Sequence, residues 1–135
     1  MDCIFCKIIA KELPSAVVYE NELLVAFLDI HPVSVGHVLV VPKNHTNDFL
    51  STDDMLLSNL LPSIKSIASA VMKGMGAHGC NISTNNGSAA GQVIFHLHWH
   101  IIPRFSSDGL KLWHSKEYRE GEMEKVAKTI REHIR

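Results

Sequence analysis

Apolar residues recur along the chain in two rhythms. In 15–20 (SAVVYE), 23–30 (LLVAFLDI) and 37–41 (HVLVV) they form short runs rich in β-branched side chains, which predicts three strands. Glu20-Asn21-Glu22 supplies the turn between the first two, and Pro42 ends the third. After Ser51-Thr52-Asp53-Asp54 the rhythm changes. Leu56, Leu57, Leu60, Leu61, Ile64, Ile67, Ala68, Val71 and Met72 recur at helical spacing, with Pro62 expected to kink the helix or divide it. The glycines of KGMGAHG stop it. CNIS reads as a polar strand, SAAGQ as a loop of small residues, and 93–103 returns to strand character. Met123, Val126, Ala127, Ile130 and Ile134 mark a C-terminal helix, and residues 1–9 a turn leading into a short one. The order β-β-β-α-β-β-α predicts an α+β fold, an antiparallel sheet with helices packed on it.

Composition narrows the picture. At 135 residues the chain suits one domain with one sizeable core, and 46% hydrophobic with 20% charged residues is ordinary globular composition. A net charge of −1 argues against broad electrostatic binding to nucleic acid or membrane. The start, MDCIFCKIIAKELP, has no secretory h-region, and no apolar run is read as approaching a membrane span; the expected location is cytoplasmic. Three cysteines in a reducing compartment do not make a disulfide framework.

The chemistry concentrates in HLHWH, residues 96–100. On a strand His96, His98 and His100 share one face, while Phe95, Leu97, Trp99 and Ile101 point the other way. A single outward histidine is usually surface polarity; three in a row favour a functional site, since grouped imidazoles perturb one another near neutral pH. Successive imidazole bases on such a strand stand roughly 7 Å apart, too far for all three to close on one tetrahedral ion, so the row's two ends are expected to do different work.

Three further features frame that row. Cys3-x-x-Cys6 is half of a tetrahedral zinc site; otherwise it is a buried apolar pair, the reading given to Cys80. His45 and a histidine at one end of the row are candidates to complete a closed, structural shell. NNGSAAGQ (85–92) is either a plain loop or an anion cradle, with glycine backbone approaching a phosphate and Asn85 and Gln92 adding donors. Asp29, ending FLDI, either starts a turn or accepts hydrogen bonds from vicinal hydroxyls.

CIFCKIIAKELPSAVVYE, FLDI, GHVLVVPKNH, NNGSAAGQ and FHLHWHIIPR, in that order, resemble the histidine triad (HIT) superfamily, and within it the Hint branch in its CxFC form. The likeness spans about residues 3–104, with 105–135 as an extension of a single HIT domain. It implies an antiparallel sheet with one long helix packed on it, plus here a C-terminal helix. It implies attack by His98 on an α-phosphate, a covalent nucleotidyl-histidine, and release of a nucleoside monophosphate by water. The carbonyl after His98, with His100 and His37, resembles the supporting network, and His96 completes the triad. Asn85, Gly91 and Gln92 would hold the phosphate and Asp29 the ribose; Ile4, Phe5, Ile8, Phe27 and Ile30 would line the base pocket. Cys3, Cys6, His45 and His96 would bind structural zinc, with no catalytic metal. The implied partners are purine nucleotide conjugates of AMP or GMP and a second copy in a two-fold dimer, without nucleic acid or membrane. Val93 departs from the branch, which commonly has Ser or Thr there. Rival readings are a Fhit-like dinucleoside polyphosphate hydrolase and a nucleotide-binding regulatory protein. In the dimer, the edge around Cys80–Thr84 is expected to pair across the axis, and Leu110–Trp113 to cross to the partner's site.

Overall fold

A computed structural model describes residues 2–134. In chain order it contains α1 (Ile4–Ile9), β1 (Val17–Glu20), β2 (Leu24–Leu28), β3 (Val38–Pro42), α2 (Asp54–Met75), β4 (Gly79–Ser83), β5 (Trp99–Arg104) and α3 (Glu122–His133). The five strands form one sheet in the order β1-β2-β3-β5-β4, every neighbouring pair antiparallel. This is the α+β architecture expected from the sequence.

Side-chain alternation sorts the sheet into two faces. Leu24, Ala26, Val38, Val40, Trp99 and Ile101 point toward α2, where Leu60, Ile64, Ile67, Ala68 and Val71 meet them. Val25, Phe27, Leu39 and Val41 point the other way and pack with Cys3, Phe5 and neighbouring residues of α1. β2 and β3 are therefore covered on both faces, which is why they read as unbroken apolar runs rather than as alternations.

α2 starts at Asp53, whose carboxylate accepts from the backbone N–H of Met55 and Leu56, and ends at Gly76 in the left-handed conformation (φ 61°). Pro62 does not divide it: the helix runs unbroken through an exposed proline. On that solvent-facing side, water can satisfy the carbonyl that loses its donor. By length and hydropathy α2 would suffice to cross a membrane, contrary to the reading of the sequence. Here its buried stripe is the lid of the larger core.

The histidine segment is less regular than expected. β5 begins only at Trp99, so His96 and His98 lie just before the strand. Leu97 nevertheless inserts into the α2 core, its N–H donating to the Thr46 carbonyl at 2.7 Å. Phe95 does not follow it inward and is exposed. Leu97 is 1% exposed. Leu97→Ala should therefore cost about 2–5 kcal/mol in urea unfolding, whereas Ile30→Ala, at an 83% exposed position, should stay within about 0.5 kcal/mol. Equal effects would refute this account of the core.

Candidate active site and metal centre

The histidine row divides between two sites. His96 is fully buried and faces α1. Its Nδ1 lies 3.4 Å from Cys3 Sγ, 3.6 Å from Cys6 Sγ and 3.0 Å from His45 Nδ1; Cys6 Sγ is 3.4 Å from His45 Nδ1. All four ligand atoms lie within 4.8 Å of one another. Tetrahedral zinc with ordinary Zn–S and Zn–N bonds sets sulfur–nitrogen edges near ~3.5 Å and nitrogen–nitrogen edges near ~3.3 Å, close to this spacing. His96 Nε2 is 2.8 Å from the Pro42 carbonyl, which can only accept. The proton therefore sits on Nε2, and Nδ1 turns a lone pair toward the cysteines, the orientation a metal ligand needs. Burial first, then the adjacent Cys3, push the Cys6 thiol pKa up, so two thiolates here call for a cation between them. The residues present fit a four-ligand, closed metal centre.

This corrects one expectation. His96 was expected to serve both as a catalytic residue and as a ligand. Both of its nitrogens are committed, one to Pro42 and one to the cysteine cluster, and it does not line the cleft where His98 and His100 meet. What it offers His98 is its backbone carbonyl.

That cleft, of about 600 Å³, lies on the α1 face of the sheet. Ile4, Phe5, Ile8, Phe27, Leu39 and Ile94 give it apolar walls, Asp29, Ile30 and His31 form one rim, and Gly91 and Val93 another. Phe5 is buried and stacks edge-on against His98 at 5.0 Å between centroids. Hydrogen-bond direction then determines which nitrogen each histidine offers. His98 Nδ1 lies 2.7 Å from the His96 carbonyl and must donate to it, leaving a lone pair on Nε2. The orienting carbonyl thus precedes His98 instead of following it. The Val33 N–H donates to His37 Nδ1 (3.1 Å), so His37 carries its proton on Nε2 and donates it to His100 Nδ1 at 2.9 Å. His100 is left with an N–H on Nε2. Side by side, with centroids 5.1 Å apart, His98 presents a nucleophilic lone pair and His100 a donor.

Burial keeps this set neutral. It lowers the pKa of His98, against the opposing pull of the His96 carbonyl and Asp29. It lowers that of His37 likewise, opposed by Asp29. His100 is pushed down to about 4, by burial first and then by His98 and His37.

The loop at 85–92 is built differently from a bare anion cradle. Ser88–Ala90 form a 3₁₀ turn, and the N–H groups of Ala90, Gly91 and Gln92 donate to Gly87 and Ser88 carbonyls. Gln92 is buried. Its Nε2 donates to the Asn47 and Ile94 carbonyls and its Oε1 accepts from Gly87 N–H. Gln92 is therefore a staple for the loop, not a free side-chain donor. Gly91, at φ 92°, brings backbone to the cleft, and a Cβ there would stand 3.6 Å from Asn85 Nδ2. The Asn85 amide makes no hydrogen bond among the described residues and remains available to a ligand. Asp29 starts a turn. Oδ1 accepts from His31 N–H at 2.9 Å, closing a turn, while Oδ2 stands 3.7 Å from His37 Nε2 at the cleft rim. Thr84 was not anticipated: its hydroxyl donates to the His98 carbonyl at 2.8 Å, just beyond the Ser83–His100 pair of β4 and β5. A threonine after a polar strand carries no sequence signal for that role. Trp113 is 91% exposed and touches no part of this chain's cleft.

Comparison with known proteins bears on these two sites. The HIT domain family matches residues 10–107. An uncharacterized HIT-like protein of Borreliella burgdorferi is 50% identical over 80% of this chain and 79% of its own. The adenosine 5'-monophosphoramidase hnt1 of Schizosaccharomyces pombe is 40% identical over 77% of this chain and 75% of its own. The adenylylsulfatase HINT3 of Arabidopsis thaliana is 37% identical over 98% of this chain and 70% of its own. Among solved structures, a Streptococcus mutans protein superposes with TM-score 0.92 at 41% identity, over 99% of this chain and 86% of that one. A HIT family protein of Bacillus subtilis gives 0.91 at 38% identity, over 100% and 99%. A zinc-bound histidine triad family protein of Mycobacterium smegmatis gives 0.78 at 34%, over 98% and 99%.

Neutral, buried histidines tie stability to pH. Because the folded-state pKa of His100 lies below its ordinary value, the unfolded chain binds more protons between 6.5 and about 4. Stability measured in urea should be flat above pH 6.5 and fall on acidification through that window, with His37 contributing in the same direction. His100→Asn should flatten the fall; an unchanged slope would remove His100 as its cause.

Proposed function

The chain belongs to the HIT domain family, and from that premise we propose that it cleaves the α-phosphate bond of nucleoside phosphoramidates or related nucleotide conjugates, releasing a nucleoside monophosphate. The observation that carries this reading is the His98 tautomer: with Nδ1–H given to the His96 carbonyl, Nε2 faces the cleft as a neutral nucleophile.

In the first step His98 Nε2 attacks phosphorus, the N–P bond forms, and the bond from phosphorus to the leaving group breaks with its electron pair. The leaving group takes up a proton from solvent water on departure. Water then attacks the nucleotidyl-histidine and gives up a proton to solvent, the N–P bond breaks, and His98 returns to its neutral form. His100 Nε2–H and the Asn85 amide supply donors to phosphate oxygens whose charge grows in the transition state. The walls made by Ile4, Ile8, Phe27 and Ile94 suit a purine ring, with Phe5 behind His98 and Ile30 on the rim; Asp29 Oδ2 suits ribose hydroxyls. The named activities of the fission yeast and Arabidopsis relatives support a nucleotide substrate. In this reading the protein acts in the cytoplasm as a two-fold dimer, with β4 as the pairing edge.

A second reading, a nucleotide-binding regulator with incidental turnover, is favoured by Val93. It stands 85% exposed on the cleft rim, where it has no hydroxyl to assist a departing amine. Rates on adenosine phosphoramidate and on a dinucleoside triphosphate separate the enzymatic readings. Faster phosphoramidate cleavage, with an acid-labile AMP adduct on His98, is expected. His98→Ala should lower turnover by at least about a thousandfold, as loss of a covalent nucleophile does. Wild-type turnover in that variant sinks the proposal, and tight AMP binding with negligible turnover on every substrate favours the regulator.

Cys3, Cys6, His45 and His96 would hold zinc as a structural ion, supplying cohesion between α1 and the segment before β5. Metal analysis should give about one zinc per chain, as one four-ligand shell requires. Chelation should lower the thermal midpoint more than it lowers the residual rate of adduct formation; a midpoint indifferent to chelation would contradict a structural role.

A further inference from the structure

The backbone around His98 is tied to separate parts of the chain. The His98 ring gives its Nδ1–H to the His96 carbonyl at 2.7 Å. One residue earlier, the Leu97 N–H donates to the Thr46 carbonyl, and the Leu97 side chain is sealed in the α2 core. A further tie comes from the segment that leads into the loop at 85–92. The Thr84 hydroxyl donates to the His98 carbonyl at 2.8 Å in a half-buried position. The carbonyl can only accept, so the hydroxyl proton must lie on that bond.

This bond stands where the sheet gives out. β4 and β5 pair residue for residue from Gly79–Arg104 to Ser83–His100, and the next steps of that register would set Thr84 against Trp99 and Asn85 against His98. Those steps are not taken. β4 ends at Ser83 and the chain turns into the loop, so a side-chain hydroxyl meets the His98 carbonyl beyond the end of the ladder. Leaving the ladder here sends Asn85 toward the cleft. A Cβ on Gly91, which lines the cleft, would stand 3.6 Å from Asn85 Nδ2. The path from the carbonyl of the nucleophile to the residue bearing the free amide is therefore one hydrogen bond, the Thr84 side chain and one peptide link.

The far end of the same loop is fixed in another way. Gln92 ties it to the Asn47 and Ile94 carbonyls and to Gly87 N–H. Those bonds hold the loop to its surroundings, whereas Thr84 makes the side-chain bond that joins it to His98 itself. Thr84 does not line the cleft and touches no reacting atom.

We infer that Thr84 is a positioning residue for nucleotidyl transfer: its hydroxyl registers the His98 imidazole against a phosphate held by Asn85 and Gly91. Attack needs Nε2 and phosphorus aligned in a near-attack geometry, and about 1 Å of misplacement costs about a hundredfold in rate. Valine matches the shape of threonine but has no proton to give, so the His98 carbonyl loses its partner and the peptide shifts to find another. Serine keeps the donor. The inference rests on the reaction proposed above and adds the residue that sets nucleophile against phosphate.

Single-turnover formation of the AMP adduct from adenosine phosphoramidate, with AMP binding measured in parallel on the full-length protein, tests it. Thr84→Val should slow adduct formation by about ten- to a hundredfold. AMP affinity should stay within about threefold, because the apolar walls and Asp29 are untouched. Thr84→Ser should restore the rate to near wild type, and Thr84→Ala should stay slow. Asn21→Ala removes the acceptor of the Leu23 and Leu24 N–H groups, at the end of β2 away from Asp29. It should lower the urea midpoint without slowing the adduct, which separates positioning from stability. Wild-type adduct formation in Thr84→Val overturns the inference, as does Thr84→Ser as slow as Thr84→Ala, or equal slowing by Asn21→Ala. A loss confined to AMP affinity also overturns it, since Thr84 would then support binding alone. If Thr84→Val does not fold, the comparison of Thr84→Ser with Thr84→Ala decides. A wild-type protein that forms no adduct with the phosphoramidate or the dinucleoside triphosphate refutes the reaction and the inference together. An adduct in the wild type that is indifferent to Thr84 refutes the inference and leaves the reaction standing.

Discussion

Leu97, Trp99 and Ile101 are buried under α2, and the rest of the site depends on that anchoring. Backbone that alternates faces cannot bury those three without turning the residues between them to the other side of the sheet. His98 and His100 are therefore delivered to the α1 face by packing on the α2 face. Burying three large apolar side chains contributes several kcal/mol, about 1.5–3 for each. The few hydrogen bonds of the histidines refine a position that the core has already imposed.

Hydrogen-bond direction does the refining. Carbonyls can only accept and backbone N–H groups can only donate, so each contact at the edge of the site settles the protonation of the ring it meets. The His96 carbonyl makes Nε2 of His98 the free nitrogen. The Val33 N–H, two rings away, makes Nε2 of His100 a donor. Burial keeps the rings neutral in doing so. A loop amide and the carbonyl of the segment before β5 thus give neighbouring imidazoles opposite hydrogen-bonding roles, with no carboxylate among the described residues bonded to His98.

The metal centre and the cleft share one short segment. His96 is pinned by the cysteines of α1 and by Pro42, while its carbonyl holds His98. Anchoring His96 therefore steadies the backbone that orients His98 two residues on. This separates the row's side chains more sharply than two roles for one imidazole would, and an ion held by the cysteines would reach the cleft only through that backbone. The apolar face of α2 plays a comparable double part, roofing the core on one flank and leaving a groove on the other.

Periodicity alone determined the elements of this protein. β1 to β4, α2 and α3 stand within a few residues of where apolar spacing puts them, because burial on one or both faces leaves a direct imprint on residue order, while β5 starts only at Trp99, late in its apolar run. The HxHxH and CxxC patterns likewise announced imidazole and thiolate chemistry. What only the tertiary structure decided was the partition of that chemistry. His96 went wholly to the cysteines because β3 and β5 bring Pro42 and His45 to it from more than fifty residues away. Gln92 became a loop staple because Asn47 and Ile94 close around its amide, and Thr84 entered the site through a β4–β5 pairing that no local pattern records. α2 stayed whole through Pro62 because that residue faces solvent. The first three rest on contacts between segments apart in sequence and the last on which side of α2 meets the sheet, and residue order encodes these only through the fold that makes them.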